Sequence, residues 1–280
     1  MYRNERFRYL IKAFRFCLIS LLFLCSIISP VLYADGSKWG DRFIEGRIEQ
    51  RKREGLTYLK NKGLCDVVVT YSLTEAINCL TEPDYPVTVV LKPGEEKMVL
   101  RVYQDDYEKR WYFKGRYQWR IGNPDAVHDD SVKYRLPWRS GESYRIMQGF
   151  NGSVTHFGEH QYAVDFDMPE GTEICAARDG LVVDVVDSFE GYGFSDEYKN
   201  KTNAVNILHS DGTIGNYGHI KKDGARVKTG QYVKTGELIA LSGNVGYSDC
   251  DHLHFAVYIP ESPSKIKSVY ILFDTSEQKG

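Results

Sequence analysis

From residue 66 onward the chain is a succession of short runs rich in valine, isoleucine, tyrosine and phenylalanine, and most are closed by a turn containing glycine or proline. Asp66–Tyr71 reads DVVVTY, Pro86–Leu91 reads PVTVVL and Met98–Tyr103 reads MVLRVY; Trp111–Ile121 follows. After an interruption the pattern returns at Tyr162–Phe166, Gly180–Val186, Ala204–His209, Gly215–Ile220, Glu237–Ser242 and His252–Ile259. β-Branched and aromatic side chains lose rotamer freedom in a helix and pack well on a pleated surface. Runs of this length punctuated by turns predict a mainly β fold.

Two breaks divide the pattern. Gly122-Asn123-Pro124-Asp125 ends the first set of strands, and Leu136-Pro137-Trp138-Arg139-Ser140-Gly141 interrupts again before the second. We therefore expect a small β-sandwich over residues 63–126 and a second β domain over 132–262, followed by a C-terminal tail, 263–280. A chain of 280 residues is long enough for two modest cores. The stretch 35–62 (DRFIEGRIEQRKREGLTYLKNKG at its centre) is densely charged and is expected to be a surface helix or a pro-segment.

Compartment and partners follow from the ends and from the charge. Arg3, Arg6, Arg8, Lys12 and Arg15 precede an apolar run, CLISLLFLCSIISPVLY, that stops at Ala34. A basic start, an apolar run and a polar continuation make residues 1–34 an export signal peptide or an N-terminal anchor. A run of about 17 apolar residues stands at the short limit for spanning a bilayer, so membrane attachment is expected only through this segment. The protein is thus expected in the periplasm or cell envelope, or secreted. A net charge of −2 with no strongly basic half argues against nucleic acid as a partner. Downstream of the leader lie Cys65, Cys79, Cys175 and Cys250, an even number in an exported protein. Pairing within each domain gives Cys65–Cys79 and Cys175–Cys250 as the expected disulfides.

The chemistry is concentrated in the second domain. In His252-Leu253-His254, residues two apart on a strand project from the same face. Asp165 lies in an apolar run, YAVDF, where a buried carboxylate needs a cation or hydrogen-bond donors. His219 adds a third imidazole. Imidazole and carboxylate together suit zinc, and a catalytic zinc keeps three protein ligands with one position open. His128 has no partner pattern and reads as a surface residue, while His209 sits at a strand-to-turn junction and reads as structural. The near-repeat Val227-Lys228-Thr229-Gly230 and Val233-Lys234-Thr235-Gly236 also occurs in carrier β-folds, but their modified-lysine context is missing.

Four stretches in this order, THFGEHQYAVDFDMPEGTEICAARDGLVVDV, NYGHI, VKTGQYVKTGELIALSGNVGYS and DHLHFAVY, resemble the lysostaphin-like zinc metallopeptidase family. The resemblance covers well over a third of the chain. It implies one Zn2+ ion held by a histidine, Asp165 and His254, with His219 and His252 beside it as catalytic groups. The usual His-x-x-x-Asp motif is broken, because Gln161 stands four before Asp165. His156, within Thr155-His156-Phe157-Gly158, is the favoured first ligand and His160 the alternative. Tyr217 and Asn244 are expected to line the substrate groove, with Tyr247 and Tyr192 as further candidates. The implied activity is hydrolysis of peptide cross-links or stem-peptide bonds in bacterial peptidoglycan by a monomer. The competing readings are a silent wall-binding or hydrolase-activating scaffold of the same fold and a secreted protease acting on proteins.

Overall fold

The computed structural model of the chain describes residues 38–274 and 276. The expected signal or anchor, residues 1–34, lies outside the described residues. The fold is built almost wholly of strands, with one three-residue 3₁₀ turn, Gly158–His160, among its named elements. No helix of the described residues is long and apolar enough to cross a membrane.

The C-terminal half is an antiparallel sheet whose spatial order is Ile146–Gln148, Val164–Phe166, Leu253–Ser262, Ile214–Gly218, Ala204–Leu208, Gly180–Val186 and Tyr232–Val233. Strand alternation gives it two faces. Phe166, Leu253, Phe255, Val257, Tyr217, Val182, Val205 and Ile207 point into one core together with Trp138, Ile174 and Ile239. The intervening residues Asp165 and His254 therefore point to the opposite face, and they are directly paired across neighbouring strands. The two candidate ligands thus lie on the face opposite the apolar core.

The N-terminal half has two sheets: Trp39–Gly40, Ile44–Arg51, Glu54–Asn61, Glu96–Gln104 and Cys79–Glu82 in one, and Val87–Leu91, Val67–Ile77 and Tyr112–Ile121 in the other. They close on a core that includes Leu59, Val67, Val69, Leu91, Leu100 and Tyr117. That core continues without a break into Val183, Ile214, Tyr258 and Ile266 of the large sheet. Arg42 adds a hydrogen-bonded ion pair to the buried Asp184, 3.0 Å.

Three expectations are corrected. The described part of the stretch expected to be helical, residues 38–62, is not helical: Ile44–Arg51 and Glu54–Asn61 form a hairpin in continuous register, from Ile44 opposite Asn61 to Arg51 opposite Glu54. The physical reason is a period of two beneath the charge, with Ile44, Gly46 and Ile48 buried and Glu45, Arg47 and Glu49 only part-buried or outward. The sandwich accordingly starts near residue 39 rather than 63. Residues 263–274 are not a tail, because Lys265–Ser268 pairs with Leu253–Ser262 and Leu272–Asp274 runs parallel to Lys133–Arg135. Buried Ile266 and Ile271 hold this segment to the domain. Finally, Cys65, Cys79, Cys175 and Cys250 are all free. Cys65 and Cys79 flank the eleven-residue strand Val67–Ile77 at its two ends. Such a strand rises roughly 35 Å, whereas a disulfide brings Cα atoms within about 7 Å. Cys175 lies in Glu173–Cys175, paired with Leu238–Leu241, while Cys250 is in the loop before the last long strand.

Candidate metal centre

Two neighbouring strands supply two of the site's side chains. Asp165 and His254 face each other on adjacent strands, and Gly218 faces His254 on its other side. A Cβ at Gly218 would lie 3.4 Å from the Cβ of His254, so the glycine leaves room for the imidazole. His254 Nδ1 is 2.8 Å from Asp165 Oδ1. His252 is bridged to Gly243 just outside the long strand and projects beside His254.

His219 reaches the same cleft by a different route. Its strand ends at Gly218, and His219 adopts a left-handed backbone, φ 61°. This conformation is strained for a residue with a Cβ and is held only where the surroundings demand it. Here the demand is visible: His219 Nδ1 is 3.0 Å from the carbonyl of Val245. His252 Nδ1 is likewise 2.8 Å from the carbonyl of Cys250. Each contact assigns the proton to Nδ1 and places the lone pair on Nε2. The two rings lie side by side, with centroids 4.7 Å apart.

The third strut is a loop, and a glutamine organises it. Gln148 Oε1 accepts the backbone N–H groups of Val154 and Thr155. Its Nε2 donates to Thr155 Oγ1 at 2.6 Å and to Asp165 Oδ2 at 3.1 Å. One side chain thereby fixes both the loop before His156 and the carboxylate. His156 is fully buried, with Nδ1 3.1 Å from the carbonyl of Gly149. Its Nε2 is 3.1 Å from Asp165 Oδ2 but is misdirected for a hydrogen bond, and it has no other partner.

His156, Asp165 and His254 each present one ligand atom, and these atoms all lie within 4.8 Å of one another. Two imidazole nitrogens and a carboxylate oxygen form a donor set suited to zinc, and the orphaned, buried Nε2 of His156 is an atom that a cation would satisfy. The residues present therefore fit the metal the sequence implies. Burial works against charge on Asp165, yet the close approach of His156 and His254 more than offsets it and holds the carboxyl well below its usual range. Burial also pushes His254 down, against the pull of Asp165, and pushes His219 down to about 3. The centre thus offers an anionic Asp165 and a His254 whose neutral form burial favours, the protonation states that ligate a cation.

The cleft is lined by Thr155, His156, His160, Asp165, His219, Tyr247, His252 and His254. Of the expected residues, His156, Asp165, His254, His219 and His252 therefore meet in one place. His160 is buried in the wall, its ring 6.2 Å from that of His254, and is not among the clustered ligand atoms. Tyr217 does not line the groove: it is fully buried in the core, and its hydroxyl accepts the Ala177 N–H at 2.7 Å. The expectation failed because the turn at His219 breaks the alternation that would have put the two residues on one face. Asn244 is also off the cleft lining; it is 7% exposed and its Oδ1 has no hydrogen-bond partner. His128 bonds Asp130, 2.8 Å, and His209 is buried with Nδ1 2.9 Å from the Asp179 carbonyl, both away from the cleft. Tyr247, a groove candidate from the sequence, does line the cleft, whereas Gln148 and Thr155 were not foreseen; no spacing in the sequence marks Gln148, whose partners lie 6, 7 and 17 residues away.

Residues 159–266 match the family described as Peptidase family M23. Lysostaphin of Staphylococcus simulans is 35% identical over 132 residues, which are 46% of this chain and 23% of that protein. The peptidoglycan DD-endopeptidase ShyA of Vibrio cholerae is 33% identical over 177 residues, 62% of this chain and 37% of that protein. Among solved structures, the catalytic domain of lysostaphin from S. simulans aligns with 45% of this chain and 88% of its own, at 27% identity and a TM-score of 0.34. The chain spans between 23% and 37% of the length of the curated relatives it matches.

Proposed function

We propose, from the premise that residues 159–266 form a lysostaphin-like Peptidase family M23 domain, that this protein is a zinc-dependent endopeptidase acting on the peptides of bacterial peptidoglycan. The observation that carries the reading is the convergence of His156, Asp165 and His254 on one point, with the imidazoles of His219 and His252 facing the same cleft. The relatives named for cleaving peptidoglycan or for lysostaphin activity support the substrate class. The expected export segment supports an envelope location.

His156, Asp165 and His254 would hold the ion. When bound, zinc supplies a Lewis acid for the scissile carbonyl and makes water acidic enough to act as a nucleophile near neutral pH. The chain's own groups do the rest. His219, kept neutral by burial, offers the Nε2 lone pair as an acceptor that orients the attacking water. His252 Nε2 takes the proton from that water and returns it to the nitrogen of the departing amine as the carbon–nitrogen bond breaks. Its Nδ1–H stays bonded to the Cys250 carbonyl throughout, which fixes the ring. Gln148 holds Asp165 and the His156 loop in register, and the buried walls limit water to the open side.

The test is mass spectrometry of purified peptidoglycan after incubation with the protein, beside His254→Ala and His252→Ala. New amine termini at one peptide bond, absent with both variants, support the reading. Equal cleavage by the His254 variant rejects it. Cleavage of soluble proteins without any of peptidoglycan replaces the substrate class.

A further inference from the structure

Beside the metal cleft lies an aromatic surface that the hydrolysis does not use. Tyr247 forms part of the cleft wall. The ring of Phe194 packs on it, with centroids 5.0 Å apart, and is itself 55% exposed. Tyr192, also 55% exposed, is bridged through its backbone to Gly246, the neighbour of Tyr247. Both exposed rings belong to the connection between the Gly180–Val186 and Ala204–Leu208 strands.

This surface is built rather than incidental. Gly193 N–H donates to the Gly246 carbonyl at 3.1 Å, and Gly246 N–H donates to the Gly191 carbonyl at 3.0 Å, so the connection is stitched to the loop that carries Tyr247 and Val245. Asn203 closes its base, accepting the Phe189 N–H and donating to the Phe189 carbonyl, each at 3.0 Å. Gly191 and Gly193 have φ values of 83° and 153°, and a Cβ at either would press on the ring of Tyr198 at 3.1 and 3.3 Å. Tyr198 therefore packs against the backbone of the ledge. A backbone stitched this firmly, with the Phe194 ring packed on Tyr247, loses little entropy when a ligand covers it.

We infer that Phe194 and Tyr192 form a platform for a hexosamine ring of the glycan strand next to the peptide being cut. This inference rests on the peptidoglycan reading above and adds the glycan to its substrate. An aromatic face takes up a flat apolar surface, and a phenolic hydroxyl adds a polar tip. An extended peptide backbone, lined by amide N–H and C=O groups, offers no such face. A pyranose ring offers a face of C–H bonds bordered by hydroxyl and amide groups. Phe194 abuts the cleft through Tyr247, and the Tyr192 backbone is bridged to the residue before Tyr247, so a glycan seated there leaves its attached peptide beside the candidate metal ligands.

Two measurements test this on the full protein. The first is binding of the disaccharide of N-acetylglucosamine and N-acetylmuramic acid, without peptide, followed by NMR shifts, for the protein and for Phe194→Ala, Tyr192→Ala and Phe194→Trp. The platform predicts saturable shifts, weakened about tenfold or more by either alanine and retained by tryptophan. No binding by the unaltered protein, or equal binding by the alanine variants, overturns it. The second is the ratio of kcat/KM for a disaccharide-bearing peptide over the same free peptide. The ratio should fall about tenfold in Phe194→Ala, carried by KM; an unchanged ratio overturns the platform. Sugar binding that depends on Phe194 with no hydrolysis of either substrate would instead sink the peptidase reading and leave the platform standing.

Discussion

Replacing Gln148 with alanine tests the second tier of the metal centre, because that side chain touches no proposed zinc ligand except through Asp165 and the His156 loop. It makes four hydrogen bonds: to the backbone of Val154 and Thr155, to Thr155 Oγ1 and to Asp165 Oδ2. The Val154 bond is exposed, so water replaces it at little cost. The other three are part-buried, and at about 0.5–1 kcal/mol net for each their loss comes to about 2 kcal/mol. If that energy holds the ligand geometry, each 1.4 kcal/mol is a factor of ten, and zinc affinity should fall about 30-fold, within the range seen for groups that orient metal ligands. The assay is competition for zinc against a chromophoric chelator, with circular dichroism to show that the fold is kept. Gln148→Met, which restores the volume without the amide, should weaken binding as much as alanine does. Affinity within threefold of the unaltered protein in both variants would refute the argument, since Asp165 and His156 would then be held without Gln148.

Other consequences can be checked separately. Burial pushes His209 down to about 4 in the folded protein, against an ordinary value near 6.5 when unfolded. Its neutral form is what the fold accepts, so stability is full above pH ~6.5 and is lost as pH falls toward 4, by about 2–3 kcal/mol. Urea titrations at pH 7 and 4.5 should show that loss, and His209→Phe should flatten it. Tyr217→Phe leaves the buried Ala177 N–H unpaired and should cost about 1–3 kcal/mol of stability, with KM unchanged; a large change in KM would restore Tyr217 to the groove. With Cys65, Cys79, Cys175 and Cys250 free, intact-mass analysis after alkylation without reductant should find all four modified in denatured protein, and a protected pair would contradict the structure.

The strands of the C-terminal domain were legible because each is a short apolar run ended by a glycine turn. Gly180–Val186 falls on its expected bounds, and Leu253–Ser262 departs from expectation mainly by continuing beyond Ile259. The site was legible for a related reason. A carboxylate in YAVDF and a His-x-His pair carry their own geometry, since alternation alone puts Asp165 and His254 on the face opposite the apolar core. The charged hairpin at Ile44–Asn61 was hidden because its period-two pattern is written in only a few apolar residues, Ile44, Ile48 and Leu59, among many charges. Tyr217 was misplaced because a single left-handed residue, His219, ends the alternation, and no local signal announces it. Gln148 was invisible because its function exists only once an edge strand and a loop have come together.

The central claim is that one zinc ion is held by His156, Asp165 and His254. Anomalous diffraction at the zinc edge from crystals of the zinc-loaded protein tests it most directly. The account predicts a single strong peak at about 2.0–2.2 Å from a nitrogen of His156, an oxygen of Asp165 and a nitrogen of His254, with His219 and His252 turned toward it but not bonded. A peak ligated by His160 in place of His156, or bound to His219 and His252 instead of Asp165 and His254, would contradict it.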